Sequence, residues 1–192
     1  PVKDVEIVPL ALHVDYWNYL GWRDEFSSNA FSRRQNGYAE RFKLGSIYTA
    51  QMVVDGQKEF TGSEYDAGIN SVTEIAQTKK ADVEMSFENK ILNVKINDLP
   101  AHDDADVWLA ITEDNLQTDV RRGENSGRKL SHAAVARELK LIGNIKAAEN
   151  NFLKSENLML QPAWKNENIN LLVFVQGQNS KNVFAVGKIK LI

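Results

Sequence analysis

The sequence contains no cysteine among its 192 residues. Disulfide bonds, thiolate nucleophiles and cysteine-ligated metal sites are therefore excluded within this chain. No apolar run approaches the ~18 residues that a membrane-spanning helix requires. The formal net charge of -3 at pH 7 gives no overall attraction for a phosphate backbone or anionic lipid. These absences argue against nucleic acid as a partner and against a membrane span.

Signals for a cofactor are missing as well. No glycine-rich phosphate-binding loop is present. The three histidines, His13, His102 and His132, are widely spaced, whereas zinc usually takes three or four nitrogen or sulfur ligands. The sequence therefore predicts neither a cofactor nor a metal site.

What is present is an ordinary globular composition, with 43% hydrophobic and 26% charged residues. Residues 8–14 have the apolar density of a buried strand. Asp55-Gly56 lies between two short apolar runs, 51–54 and 57–60, which is a strong signal for a two-residue hairpin turn. The first part of the chain thus begins with an extended segment and contains a hairpin.

Two helices are predicted around this hairpin. Ser28 or Asn29 is expected to cap a helix that runs to about Phe42, with Phe31 on its apolar face and Arg34 on its solvated face. A second helix is expected to start at Ser63, which has the spacing of a capping box to Asp66. The order up to residue 80 is therefore strand, helix, hairpin, helix.

From Ala81 the sequence changes to short alternating apolar runs separated by Asn, Asp and Gly. This texture predicts an antiparallel β-sandwich over residues 81–192, with a boundary near Lys80. Trp108 lies in the centre of one alternating run and is expected in the core. Residues 131–139 fit a helix or a strand by periodicity, and we interpret them as a helical insertion.

Four segments have distinctive wording: HVDYWNYLGW (13–22), RRQNGYAERF (33–42), YTAQMVVDG (48–56) and RGENSGR (122–128). With them, the chain resembles a bacterial family of thioredoxin-like proteins known as domain of unknown function 1223. The resemblance implies an α+β protein in which an incomplete thioredoxin-like part, residues 1–80, precedes the β-sandwich. It also implies a location in the periplasm or cell envelope.

The resemblance implies two features that this chain lacks. Relatives carry a strand and a helix with a Cys-x-x-Cys-like motif before the HVDYW segment, and this strand lies between the HVDYW and QMVV strands. We therefore expect either a trimmed chain with an exposed edge beside residues 8–14 or another segment in the vacant position. Ala50 stands where relatives have a proline resembling the cis-proline of thioredoxin-like folds. Since a cis Thr-Ala bond costs ~2.5–4 kcal/mol, the Thr49–Ala50 bond is expected to be trans.

His13 and Asp15 are two apart on the predicted strand, so their side chains should leave by the same face. An acid beside an imidazole is the start of a general-base arrangement, but no motif ties a nucleophile to the pair. A structural histidine is the preferred interpretation, with ligand binding or catalysis as the alternatives.

Clustered aromatics and a basic loop supply the other candidates. Aromatic residues exposed together often line a groove for a peptide. The aromatic residues of segment 16–22 could do so, or they could cover the junction between the two parts of the chain. Arginines around residues 123–127 could hold an anion or form a solvated face. The candidate residues for ligand or partner binding are His13, Asp15, Tyr16, Trp17, Trp22, Tyr48, Thr49, Ala50, Arg122 and Arg128.

The functional hypothesis is a non-catalytic binding or scaffold module of the bacterial cell envelope, with a peptide or protein partner. The alternative hypothesis is a thiol-disulfide oxidoreductase or redox partner whose cysteines lie upstream of this segment.

Overall fold

The computed structural model describes residues 5–120 and 126–191. The fold mixes two helices with strands that pair antiparallel. The elements, in chain order, are α1 (Asn29–Phe42), β1 (Gln51–Val54), β2 (Lys58–Thr61), α2 (Tyr65–Ile75), β3 (Val83–Glu88), β4 (Ile91–Ile96), β5 (Ala105–Glu113), β6 (Leu116–Asp119), β7 (Lys129–His132), β8 (Val135–Ile145), β9 (Phe152–Asn157), β10 (Ile169–Gly177) and β11 (Val183–Lys190). Neither helix has the length and apolar character needed to cross a bilayer within the described ranges.

The strands form two larger sheets and two separate hairpins. A four-stranded sheet has the order β11-β10-β5-β8, and a three-stranded sheet has the order β3-β4-β9. Alternate side chains of β4, β5 and β10 meet in one hydrophobic core. The pairs β1–β2 and β6–β7 each form a two-stranded sheet.

Helix α1 and the β1–β2 hairpin confirm the local sequence signals. The Ser28 hydroxyl accepts from the backbone N–H of Ala30, which caps α1 as expected. At the hairpin turn, Asp55 and Gly56 both have positive φ, 48° and 69°. These are the dihedrals that a primed turn requires.

The segment 8–14 does not form the predicted strand. Only Ala11 makes a bridge, and it pairs in parallel with Val135 at the edge of the four-stranded sheet. Its N–H donates to Ala134 at 2.9 Å, and its carbonyl accepts from Ala136 at 2.9 Å. Apolar density predicted burial against a sheet but not how many residues would join a ladder. The segment therefore lies beside β8.

Helix α2 begins differently from the prediction. Its N-cap is Glu64, without a side-chain capping bond, so the expected capping box at residues 63 and 66 is wrong. The Glu64 carboxylate instead accepts from the backbone N–H of Thr61 at 2.9 Å. That carboxylate fastens the end of β2 to the start of α2.

Residues 131–139 contribute to β7 and β8, so the predicted helical insertion is wrong. Local periodicity allowed either a helix or a strand here, and hydrogen bonding of β8 to β5 stabilises the strand.

Trp108 is half-buried and lies outside the core. The Arg34 guanidinium lies 5.4 Å from the Trp108 ring centroid and 5.5 Å from that of Phe174, its partner on β10. Arg34 thus contacts the sheet and is not on a solvated face of α1. Alternation correctly predicted a strand but could not tell which of its faces meets the other sheet.

Candidate functional site

Helix α1 positions the HVDYW segment through two buried polar side chains, Ser32 and Gln35. The Ser32 hydroxyl donates to Asp15 Oδ1 at 2.6 Å and accepts from the Asp15 backbone N–H at 3.1 Å. The Tyr16 hydroxyl donates to Gln35 Oε1 at 2.9 Å. Because both partners lie on one rigid helix, Asp15 and Tyr16 are held in fixed positions.

The same Gln35 connects this segment to the loop before β1. Its Nε2 donates to the backbone carbonyl of Tyr48 at 2.6 Å. The Trp17 indole N–H donates to the Thr49 hydroxyl at 3.1 Å. Two segments that are about thirty positions apart are thereby joined.

Tyr48 has a carboxylate partner that the sequence did not reveal. Its hydroxyl donates to Glu59 of β2, which also accepts from Gln51 Nε2 at 3.2 Å. Burial, together with Glu59, raises the pKa of the Tyr48 phenol. Burial also raises the pKa of Tyr16, partly offset by its bond to Gln35. Neither phenol is poised to give up a proton near neutral pH.

The outer side of this network is exposed and apolar. Trp17 is 44% exposed and Met52 of β1 is 47% exposed. Ala50, also exposed, precedes β1, and a side chain at Gly62 would meet the Ala50 Cβ at 3.1 Å and the Met52 Cγ at 3.7 Å. We call Trp17, Thr49, Ala50, Met52 and Gly62 the aromatic-loop surface. Tyr19 and Leu20, also exposed, follow in a short 3₁₀ turn.

The Thr49–Ala50 peptide bond is cis, so the expected trans bond is wrong. The expectation considered the isolated amide alone. In the folded chain both residues are engaged, Thr49 with Trp17 and the Ala50 carbonyl with the Gly62 N–H at 2.8 Å.

The spacing of His13 and Asp15 suggested that the two side chains pair, but the structure shows a different partner for His13. Its Nδ1 lies 2.6 Å from Oδ2 of Asp24. Its ring also makes edge contacts with Phe26 and His132, at centroid distances of 5.7 and 5.3 Å. The expectation failed because residues 13 and 15 are not part of a regular strand.

The two acid–base groups around His13 have shifted pKa values. Burial opposes ionisation of Asp24, but hydrogen bonds from His13 and the Phe26 N–H outweigh it and lower its pKa. Burial lowers the pKa of His132, and the charge of His13 lowers it further. Near neutral pH this cluster therefore contains an ionised Asp24 and an uncharged His132.

Trp22 is separated from the other aromatic candidates. It lines a shallow cleft of ≈ 410 Å³ together with Arg23, Glu25 and three residues of β6, Gln117, Thr118 and Asp119. The Thr118 hydroxyl lies 3.1 Å from Nε2 of His132, so the cleft and the histidine cluster share a wall.

The predicted basic loop is only partly described. Arg122 lies outside the described residues. Arg128 is exposed beside β7, and its backbone carbonyl accepts from Val120 at 2.9 Å. The anion-binding expectation for this loop remains a prediction.

A family model described as "Protein of unknown function (DUF1223)" matches residues 2–176. The chain belongs to this family. A crystal structure of an Agrobacterium tumefaciens protein, determined by the Northeast Structural Genomics Consortium, is similar to this DUF1223 protein with a TM-score of 0.72. The two share 22% identity, and the match covers 95% of this chain and 79% of the other. This likeness concerns the fold alone. No curated protein matches this DUF1223 chain at a significant level.

Sequence reasoning missed several residues that hold the DUF1223 site together: Asp24, Ser32, Gln35, Glu59, Thr118 and His132. Ser32 and Gln35 are one turn apart on the buried side of α1. Buried polar side chains usually have hydrogen-bond partners, so these two residues could have been recognised as candidates from the sequence. The His13–His132 contact had no local signal, because it follows from the bridge between Ala11 and Val135. Within residues 5–120 and 126–191, no group of three or more His, Asp or Glu side chains could hold a metal ion.

Proposed function

We propose that this protein is a non-catalytic binding or scaffold module that takes an extended peptide or protein segment at the aromatic-loop surface. The observation that carries the proposal is the convergence of Trp17, Thr49 and Ala50 on an exposed surface above a hydrogen-bonded base. Aromatic side chains fixed in position bind with little loss of conformational entropy.

The position of β1 favours a strand-like partner. In its sheet β1 has one neighbour, β2, and the aromatic-loop surface lies at its start. An extended peptide could add along such an edge while Trp17 and Met52 contact its side chains.

The architecture we propose is an incomplete thioredoxin-like part over residues 1–80 and a β-sandwich over 81–192. Two features support it. The order of extended segment, helix, hairpin and helix agrees with the first part, and β1 has no pairing with residues 8–14, as a missing intervening strand would leave it. The shared core of the two larger sheets agrees with the second part.

A binding role fits the chemistry around His13 better than hydrolysis does. The Asp24 carboxylate orients the His13 ring as in a general base, so hydrolysis would still require an accessible nucleophile. The hydroxyl beside His132 belongs to Thr118, which is only 7% exposed and therefore poorly accessible as a nucleophile.

We assign the protein to the bacterial cell envelope, on the strength of the family resemblance. Fractionation of cells of the native host tests this assignment. Recovery of the protein with the periplasmic or envelope fraction supports it, and recovery with the cytoplasmic fraction contradicts it.

The binding proposal is tested by selecting peptides from a displayed random library on the full chain and measuring their dissociation constants. Burial of Trp17 or Met52 against a peptide is worth about 1.5–3 kcal/mol, so Trp17→Ala and Met52→Ala should each weaken binding by roughly tenfold or more. The matched control is Met159→Ala, since Met159 is 84% exposed but lies after β9.

Selected peptides that bind all three variants with unchanged affinity would show that another surface is used. A selection that enriches no peptide would overturn the proposal for peptide partners.

A further inference from the structure

Three separate segments of the chain meet at His132. His13 comes from the extended N-terminal segment, Asp24 from the loop before α1, and His132 from the end of β7. The rings of His13 and His132 are 5.3 Å apart, and each contacts the buried ring of Phe26. Beyond the backbone bonds of Ala11 to Ala134 and Ala136, contacts between these side chains hold the end of the β6–β7 hairpin beside the N-terminal segment.

The carboxylate in this cluster is already engaged. Asp24 is 2.6 Å from His13 Nδ1 and accepts from the Phe26 N–H at 2.9 Å. The Asp24 backbone N–H is held by Asn18 Oδ1 at 3.0 Å, so the loop cannot easily turn its carboxylate toward His132.

The other charges facing His132 do not compensate a proton on its ring. Glu25 is exposed, and its attraction is therefore screened by water. From β8, the Arg137 guanidinium lies 5.0 Å from the Phe26 ring centroid, and its charge is paired with the Glu113 carboxylate at 3.6 Å. His13, paired with Asp24, faces His132 directly.

We propose that His132 is a proton-sensitive latch that keeps the β6–β7 hairpin closed against the N-terminal segment near neutral pH and releases it in mild acid. Protonation puts a positive charge on a ring that is partly buried against His13 and Phe26. In the protonated ring Nε2 can only donate, so the Thr118 hydroxyl must then accept from it.

Release of the latch opens the cleft lined by Trp22 and β6. One wall of that cleft, residues 22–25, is fastened through Asp24 to His13, and the other wall is fastened through Thr118 to His132. Separation of the two histidines moves the walls apart. The proposal therefore gives the cleft a pH-controlled entrance.

The direction of the pH effect follows from linkage. The lowered pKa of His132 means that the unfolded chain, with a histidine pKa near 6.5, binds the proton more readily than the folded chain. The contribution of the latch to stability is complete above about pH 6.5 and is lost as the pH falls below that value. Asp24 acts in a separate window, below its ordinary value of 3.8.

The test is an NMR titration of the full chain from pH 7.5 to 5.0, with the three histidine rings assigned from His13→Gln, His102→Gln and His132→Gln. We expect the His132 midpoint to lie below 6.5 and to rise toward 6.5 in His13→Gln, which removes the neighbouring charge. His102→Gln is the matched control, since His102 bonds to the carbonyls of Asp103 and Glu149, and it should leave the midpoint unchanged.

The proposal also predicts an effect that would not be seen if His132 were simply a buried histidine. The backbone amides of β6 and the Trp22 indole N–H, assigned from Trp22→Phe, should shift with the His132 midpoint and become insensitive to pH in His132→Gln. A His132 midpoint at or above 6.5, or β6 and Trp22 signals that do not follow His132, would overturn the proposal. If His132→Gln does not fold, His13→Gln decides the matter: β6 and Trp22 signals that keep the parent midpoint while the His132 midpoint moves would overturn the proposal.

Discussion

Arg34 of α1 donates a hydrogen bond to Gln176 of β10, 142 positions further along the chain. The same guanidinium lies about 5.5 Å from the ring centroids of Tyr38 and Phe174. Gln176 is buried and also donates to the Tyr38 hydroxyl at 2.9 Å. One side chain thus joins the N-terminal helix to the central strand pair of the largest sheet.

Arg34→Ala should therefore reduce the free energy of unfolding by about 2 kcal/mol, since it removes a charged hydrogen bond and stacking on several rings. Urea unfolding of the full chain measures the loss. The control is Arg33→Ala, at an exposed position of the same helix, for which a change within about 0.5 kcal/mol is expected. Equal losses for the two variants would mean that Arg34 does not join the helix to the sheet.

Two glycines should respond to alanine with opposite signs. A Cβ on Gly56, where φ is +69°, would lie 1.8 Å from the Lys181 carbonyl oxygen, so Gly56→Ala should cost at least about 2 kcal/mol. A Cβ on Gly37, inside α1, meets nothing within 4 Å, and Gly37→Ala should stabilise the protein by about 0.5–1 kcal/mol. Thermal unfolding of both variants checks the pair. A Gly56→Ala protein as stable as the parent would show that the turn does not approach Lys181 so closely.

Asp103 should make stability depend on pH in the acid range. Burial disfavours its charge, but hydrogen bonds from the Ser180 hydroxyl and the backbone of Asn179 and Ser180 outweigh burial and lower its pKa. Its contribution is therefore present above about pH 3.8 and is lost as the pH falls further. Asp103→Asn should be less stable than the parent by about 1 kcal/mol at pH 7, and the difference should shrink toward pH 2.5.

Urea unfolding at the two pH values measures this difference. Asp82→Asn, at an exposed position, is the control and should follow the parent at both values. A difference for Asp103→Asn that stays constant with pH would exclude titration of Asp103 as its cause.

This chain should not exchange thiols with disulfides. It contains no cysteine, and the attack on a disulfide sulfur requires a thiolate. Reduction of insulin by dithiothreitol, followed by turbidity, should proceed at the same rate with and without the protein. Acceleration by pure protein would contradict the non-catalytic interpretation.

Short-range signals predicted α1 and the β1–β2 hairpin well. A capping Ser28 and an Asp55-Gly56 turn act within a few residues, so the sequence alone specifies them. Residues 8–14 and 131–139 were misassigned, because their structure depends on pairing with strand β8 or β5, far away in the sequence. Local propensity yields to tertiary context in such segments.

The candidate site shows the same division. The aromatic residues and the loop before β1 were named as separate binding candidates, and the amide of Gln35 that joins them was not foreseen. His13 was assigned the wrong acid, because the choice between Asp15 and Asp24 depends on a loop conformation that spacing does not encode.

Strand β10 is buried along its whole length, and its late position in the chain affects the order in which the strands can pair during synthesis. Its partner in the middle of the sheet is β5, with Ala105 opposite Gly177 and Glu113 opposite Ile169. During synthesis on the ribosome, β5 can therefore pair fully with β10 only after residue 177 has emerged. Such non-local pairing usually slows folding to a range on the order of milliseconds to seconds. During synthesis the apolar side chains of β5 remain open to a chaperone or to another nascent chain, so this interval is where the protein is most exposed to aggregation.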